Sequence, residues 1–237
     1  FSVHFYHFQN SKLYGEVDTA FFNDYDYKVT ADYNSKELGI TLSITRNELD
    51  LKRVQREFKH IFKNAKKPYD LKTLVAKTFK SYVSAHELLK WEPDDNNKGL
   101  LGRVGNFSFS FYFLKNLAQS EYPFKDFNYS ERKKILARFG GVKVYRDSFR
   151  VRPYGDPGYD WLKLGERSSQ SPAGAGQRIG DWRVGPNQIA GLVNISRVEN
   201  PELVDKSDRG ALVENETFNT LKKILTEVIG KVKHQIF

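Results

Sequence analysis

Five basic side chains, Arg167, Arg178, Arg183, Lys206 and Arg209, fall in or beside one long loop rich in Gly, Ser and Arg. A guanidinium is always charged and presents a planar fork of donors, which suits it to phosphate oxygens better than any other side chain. Arg209 stands out within the run Val204-Asp205-Lys206-Ser207-Asp208-Arg209-Gly210-Ala211-Leu212-Val213-Glu214-Asn215-Glu216-Thr217-Phe218. That run reads as a loop that opens into a helix, so the backbone holds Arg209 while its side chain points outward to meet an anion. The competing assignment is an ion pair with Asp205, Asp208 or Glu214.

Other chemistry is harder to assemble. The five His residues (His4, His7, His60, His86, His234) show none of the spacings that build a metal site. There is no Cys nucleophile, no Gly-x-Ser-x-Gly elbow and no Gly-x-x-x-x-Gly-Lys-Ser/Thr phosphate loop. Leu101-Gly102-Arg103-Val104-Gly105 reads as a turn rather than a nucleotide cradle, and Asp156 and Asp160 read as caps. The chain alone therefore holds no complete active site. Its profile is that of a domain that helps another domain do phosphate chemistry.

The elements that must position these residues follow from periodicity. Residues 1–8 look like a strand, and 25–32 and 38–46 alternate as a β-hairpin about the loop Tyr33-Asn34-Ser35-Lys36-Glu37. From Asn47, a plausible N-cap, Leu51, Val54, Phe58, Ile61 and Phe62 recur at helical steps to about residue 64. Pro68 is expected to start a second helix, with Leu71, Leu74, Val75, Phe79, Tyr82 and Val83 on one face. The two helices would form an insertion over residues 47–92. Residues 91–99 are expected to be a polar surface loop. Phe107, Phe109, Phe111 and Phe113 mark the clearest strand, and a helix capped by Ser130 should run to Phe139 before Gly140-Gly141. Two short strands about Asp147-Ser148 follow, then the loop over 155–187, long enough to be functional or disordered. A strand over 189–195 and a final helix from Asn215 to about Lys231 complete the reading.

Composition sets the outer bounds. A chain of 237 residues, 39% hydrophobic and 14% aromatic, buries a substantial core as a single α+β domain. No apolar run approaches the ~20 residues that span a bilayer, which predicts a protein with no membrane partner. With no Cys there is no disulfide framework, which fits a cytoplasmic location. With no Met, and with Phe1 in strand-like sequence, the chain is expected to be a piece excised from a longer protein. Modified methionines missing from the sequence would be the other explanation. The net charge of +9 suggests polyanions, but the Lys and Arg residues are spread among 29 acids, as on a solvated surface.

The segment Gly141-Val142-Lys143-Val144-Tyr145-Arg146-Asp147-Ser148-Phe149-Arg150-Val151-Arg152-Pro153-Tyr154-Gly155-Asp156-Pro157-Gly158-Tyr159-Asp160-Trp161-Leu162 resembles the region after the ATP-binding domain in bacterial GHKL-type ATPases, the relatives of gyrase B, MutL and the large heat-shock chaperones. Asn187-Gln188-Ile189-Ala190-Gly191-Leu192-Val193-Asn194-Ile195-Ser196 and Asn200-Pro201-Glu202-Leu203 continue the likeness, which spans about 141–225 and is weaker over 25–44. None of the motifs of the ATP-binding part occurs here. The resemblance thus implies the transducer or middle domain, a fold similar to ribosomal protein S5 domain 2, with ATP and Mg²⁺ held mainly by an N-terminal domain that precedes it. It also implies that an Arg at the start of a helix reaches the γ-phosphate, and Arg209 is the matching position. A Lys does this in the gyrase and MutL branches, which keeps Lys206 as the second choice, with Asn215 as a weaker candidate for orienting phosphate or the attacking water. Arg178 and Arg183 are the further phosphate-contacting candidates. Two rival readings are a basic nucleic-acid-binding module without ATP coupling and a purely structural domain for homodimer contacts.

Overall fold

The computed structural model describes residues 3–4, 16–17, 24–60, 78–115, 123–169, 184–206 and 210–236; 3–4, 16–17 and 232–236 are described by backbone alone. Among them, β1 (Val3–His4) and β2 (Glu16–Val17) form a small antiparallel ribbon. The main sheet contains β3 (Tyr27–Asn34), β4 (Gly39–Arg46), β5 (Thr78–Ser84), β6 (Phe107–Phe113), β7 (Gly141–Arg146), β8 (Phe149–Val151) and β9 (Ile189–Ile195). Their order across it is β5-β4-β3-β6-β9-β7-β8. Every neighbouring pair is antiparallel except β7 and β9, so the sheet is mixed. With a mainly antiparallel sheet and helices between and after its strands, the chain is an α+β protein.

Alternation builds this sheet. Tyr27, Val29, Ala31 and Tyr33 on β3 and Phe107, Phe109, Phe111 and Phe113 on β6 are all buried, and the residues between them are not. Period-2 burial fits strands with one packed face and one wetter face. The β3–β4 hairpin turns through Ser35–Leu38, one residue shorter than the expected loop, because Tyr33 and Asn34 still pair with Ile40 and Gly39. The Asn34 carboxamide oxygen accepts the N–H groups of Lys36 and Glu37 and so shapes that turn.

The packed face is covered by the 21-residue helix Glu216–Ile236 together with two shorter helices, Ala85–Leu89 and Asp95–Val104, which lie against it. Phe218, Leu221, Ile224, Leu225, Val228 and Ile229 recur at three- and four-residue steps along the long helix and join the strand side chains in one core. Each such fully buried side chain contributes about 1.5–3 kcal/mol of transfer free energy. In chain order the helices are α1 (Leu51–Arg53, continuing as a π-turn through Phe58), α2 (Ala85–Leu89), α3 (Asp95–Val104), α4 (Tyr129–Phe139), α5 (Leu164–Ser169) and α6 (Glu216–Ile236).

Several expectations are corrected here. Asp50, not Asn47, caps α1, its carboxylate accepting the N–H groups of Lys52 and Arg53. Asn47 is spent instead on tying the end of β4 to the Tyr25 carbonyl. Phe79, Tyr82 and Val83 belong to β5 rather than to a helix, since β4 offers them a full ladder from Gly39↔Ser84 to Thr45↔Thr78. The second half of the supposed helical insertion over 47–92 thus returns to the sheet as its edge, and residues 61–77 lie outside the described residues. The polar stretch 91–99 is not all loop. Asp94 accepts the Asn97 N–H and starts α3, whose last turn contains the Leu101–Val104 segment expected as a turn. Asn128, not Ser130, caps α4. Among the described residues no helix is long and apolar enough to cross a membrane.

Candidate functional site

β9 and β7 run parallel, so their C-terminal ends, Ile195 and Arg146, lie side by side. The chain then passes from β9 through a turn to a short excursion that closes on itself. Asp205 bridges Leu212 in antiparallel fashion, the Lys206 N–H donates to the Ala211 carbonyl at 2.7 Å, and the Val213 N–H donates to the Val204 carbonyl at 2.8 Å. Residues 204–206 and 211–213 therefore pair as the two arms of a miniature hairpin, with Lys206 at the end of the first arm.

The base of this hairpin is clamped by buried polar groups. Arg146 is 6% exposed and donates from Nη1 to the Asp205 carboxylate at 2.6 Å and from Nη2 to the Leu203 carbonyl. Arg197 lies within 3.7 Å of the other Asp205 oxygen. From beneath, the Tyr154 hydroxyl accepts the Leu212 N–H at 3.0 Å, and burial pushes that phenol up to about 12. Tyr154 is in turn wedged against Trp161 and Phe218, and Trp161 donates to the Val142 carbonyl at 2.8 Å. On the far side, Asn215 closes the hairpin onto α6. Its side-chain oxygen accepts the Phe218 N–H and its amide donates to the Glu202 carbonyl.

The turn before the hairpin is fixed as firmly. Asn200 is fully buried, donates to the carbonyls of Val104 and Asn106 and accepts the Ser196 N–H. Gly105 ends α3 at φ +74°, and a Cβ there would come within 1.8 Å of the Glu199 carbonyl oxygen. Only glycine permits that approach without a backbone shift.

Among the predicted residues, Lys206 is exposed at the hairpin tip with its backbone bonded across it. Asn215 is an N-cap with both ends of its amide engaged. Arg167, on α5, reaches Glu227 at 3.2 Å. Glu227 lies eleven residues into α6, roughly 16 Å along its axis from the hairpin end. Arg167 and Lys206 are thus not brought together. Arg178, Arg183 and Arg209 lie outside the described residues, as do Ser207 and Asp208. Of the carboxylates expected to compete for Arg209, Asp205 is taken by Arg146 and Arg197.

The supporting residues Arg146, Tyr154 and Asn200 were invisible to a search for reactive groups. Each sits where apolar residues are usual, Arg146 on an inward-facing strand position and Asn200 in a buried turn, and that mismatch is the only signal they carry. No three His, Asp or Glu side chains among the described residues are placed to hold a metal ion. Compared with family models, curated proteins and solved structures, the chain matches none.

Proposed function

We propose that this chain is the transducer-like domain of a GHKL-type ATPase, with an S5-like fold, that completes a nucleotide site carried by a preceding ATP-binding domain. The observation that supports this most directly is the clamped hairpin. Lys206 stands on a hairpin arm whose base is held by Arg146, Tyr154 and Asn215, and Arg209 follows it three residues later in the sequence. A donor delivered on a fixed base costs little reorganisation when charge develops on a phosphoryl group, which is what catalysis by positioned charge requires. ATP with Mg²⁺, held by the neighbouring domain, supplies the phosphoryl group. Mg²⁺ ligation belongs to that domain, since the donors at this tip are cationic and suit phosphate oxygens instead.

In this reading Arg209 reaches the γ-phosphate and Lys206 stands beside it. Arg178 and Arg183 are further phosphate contacts, and Asn215 acts by fixing the start of α6 rather than by touching substrate. An inserted Arg contributes about 10³-fold or more in comparable phosphoryl-transfer sites. Docking of the two domains is then gated by nucleotide.

The test places Arg209→Ala in a protein that joins this chain to its ATP-binding domain. Expected is nucleotide binding within a few-fold of the parent with turnover reduced about 10³-fold. Unchanged turnover overturns the assignment, and loss through Lys206→Ala instead moves it to that residue. Tight duplex-DNA binding by the chain alone, with a steep dependence on salt, would favour a nucleic-acid module in its place.

A further inference from the structure

At the opposite end of β7 from the hairpin, a cleft of about 430 Å³ opens between the C-terminal end of α4, the 154–162 turn and the start of β9. Its size is that of pockets that hold small molecules. Gly141 and Gly155 line it; both have positive φ, and a Cβ on Gly155 would lie 2.7 Å from the Lys143 side chain. One wall is apolar, made by Pro157, Pro186 and the Tyr159 ring, which is 41% exposed.

The other wall is cationic. Lys143 donates to the carbonyls of Phe139 and Gly140 at 2.7 and 2.8 Å, so it offsets the negative end of α4 and keeps one N–H uncommitted. Arg150 meets Asp156 through Nη2, while its Nε is buried without a partner. Asp160, the other acid lining the cleft, is engaged by the Gly165 N–H at 2.6 Å. Burial, and then the nearness of Arg150, push the Lys143 ammonium below its usual value, with only Asp156 opposing. With Arg138 also lining it, the cleft carries three cationic side chains against the two carboxylates Asp156 and Asp160, next to an apolar surface.

We infer that this cleft binds a small organic anion, its charged head on Arg150 and Lys143 and its flat body against Tyr159 and Pro157. The inference is independent of the hairpin, which lies at the far end of the same strand. Four probes test it on the 237-residue chain: phenyl phosphate, benzoate, inorganic phosphate and phenol, each titrated while backbone amide resonances are followed. Expected are saturable shifts of the Lys143, Gly155 and Gly158 amides with phenyl phosphate or benzoate, the tighter of the two naming the head group. Inorganic phosphate should bind more weakly and phenol not measurably. Arg150→Gln should weaken the tighter probe at least tenfold. Tyr159→Ala, a substitution at an exposed ring, should bring phenyl phosphate down to the affinity of inorganic phosphate, and it decides the matter if Arg150→Gln does not fold. Absence of saturable shifts at these amides, shifts confined to the Lys206 hairpin, or equal binding in parent and Tyr159→Ala would each overturn the inference.

Discussion

Buried charge is concentrated where β3, β4 and the end of β6 meet. Asp26 accepts from Arg132 at 2.6 Å and from the Lys115 N–H at 2.6 Å, and Arg132 also holds Asp24. Glu48, wholly buried, pairs with Arg46 beside the buried Tyr27 ring. Desolvation dominates for Lys115 and lowers its ammonium from 10.5 to about 8, although Asp26 and Glu48 pull the other way. The folded protein therefore holds this proton less tightly than the unfolded chain does, and between pH 8 and 10.5 the unfolded state binds more protons. The Lys115 contribution to stability should rise with pH across that window, whereas the buried phenols of Tyr27, Tyr33 and Tyr154, held above their usual value, oppose it as pH nears 10. Chemical denaturation in steps over pH 7–10.5 checks this: the stability of the parent minus that of Lys115→Met, which keeps the three tyrosines, should rise with pH from about 8. At the hairpin base, Tyr154→Phe removes the acceptor of the Leu212 N–H and leaves a buried donor unpaired. It should cost about 1–3 kcal/mol in urea denaturation while leaving the far-ultraviolet spectrum unchanged.

At the scale of elements, glycine geometry sets the next expectation. Gly105 joins α3 to β6 under the Glu199–Asn200 turn, so Gly105→Ala must displace backbone and adopt an unfavourable φ. It should destabilise by more than about 1 kcal/mol, beyond any gain from stiffening the unfolded chain, and denaturant midpoints measure this. The same elements show what sequence can disclose. β3 and β6 are legible because one wetter face imposes alternation, as in the four Phe residues of β6. β5 is not, because Phe79, Tyr82 and Val83 fit a helical spacing as well as a strand, and ladder partners 35 to 43 residues away in sequence decide between them. α3 hides behind Asp-Asp-Asn-Asn, a string that reads as loop until Asp94 is seen to cap it. In the candidate site, the basic tip of the hairpin is legible as charge and type. Its clamp is not, since the Arg146–Asp205 pair spans 59 residues and Tyr154–Leu212 spans 58.

For the whole molecule, the proposed role depends on the hairpin and α6 behaving as one body. The bonds from Arg146 to Asp205, from Tyr154 to Leu212 and from Asn215 to Phe218 should make the amides of Lys206, Leu212, Val213 and Phe218 exchange with solvent as a unit. Arg146→Met should raise exchange at all four together in a hydrogen-exchange measurement. An increase at Lys206 and Val213 alone would show that the helix start is uncoupled. If the unit holds, its consequence is mechanical. α6 is 21 residues long, or about 31 Å, and its first turn is riveted to the hairpin through Asn215. A push on the tip would then be carried along a rod seated on the sheet from Phe218 to Ile229. It would then be felt at the far end of the helix, about 31 Å from where the force was applied.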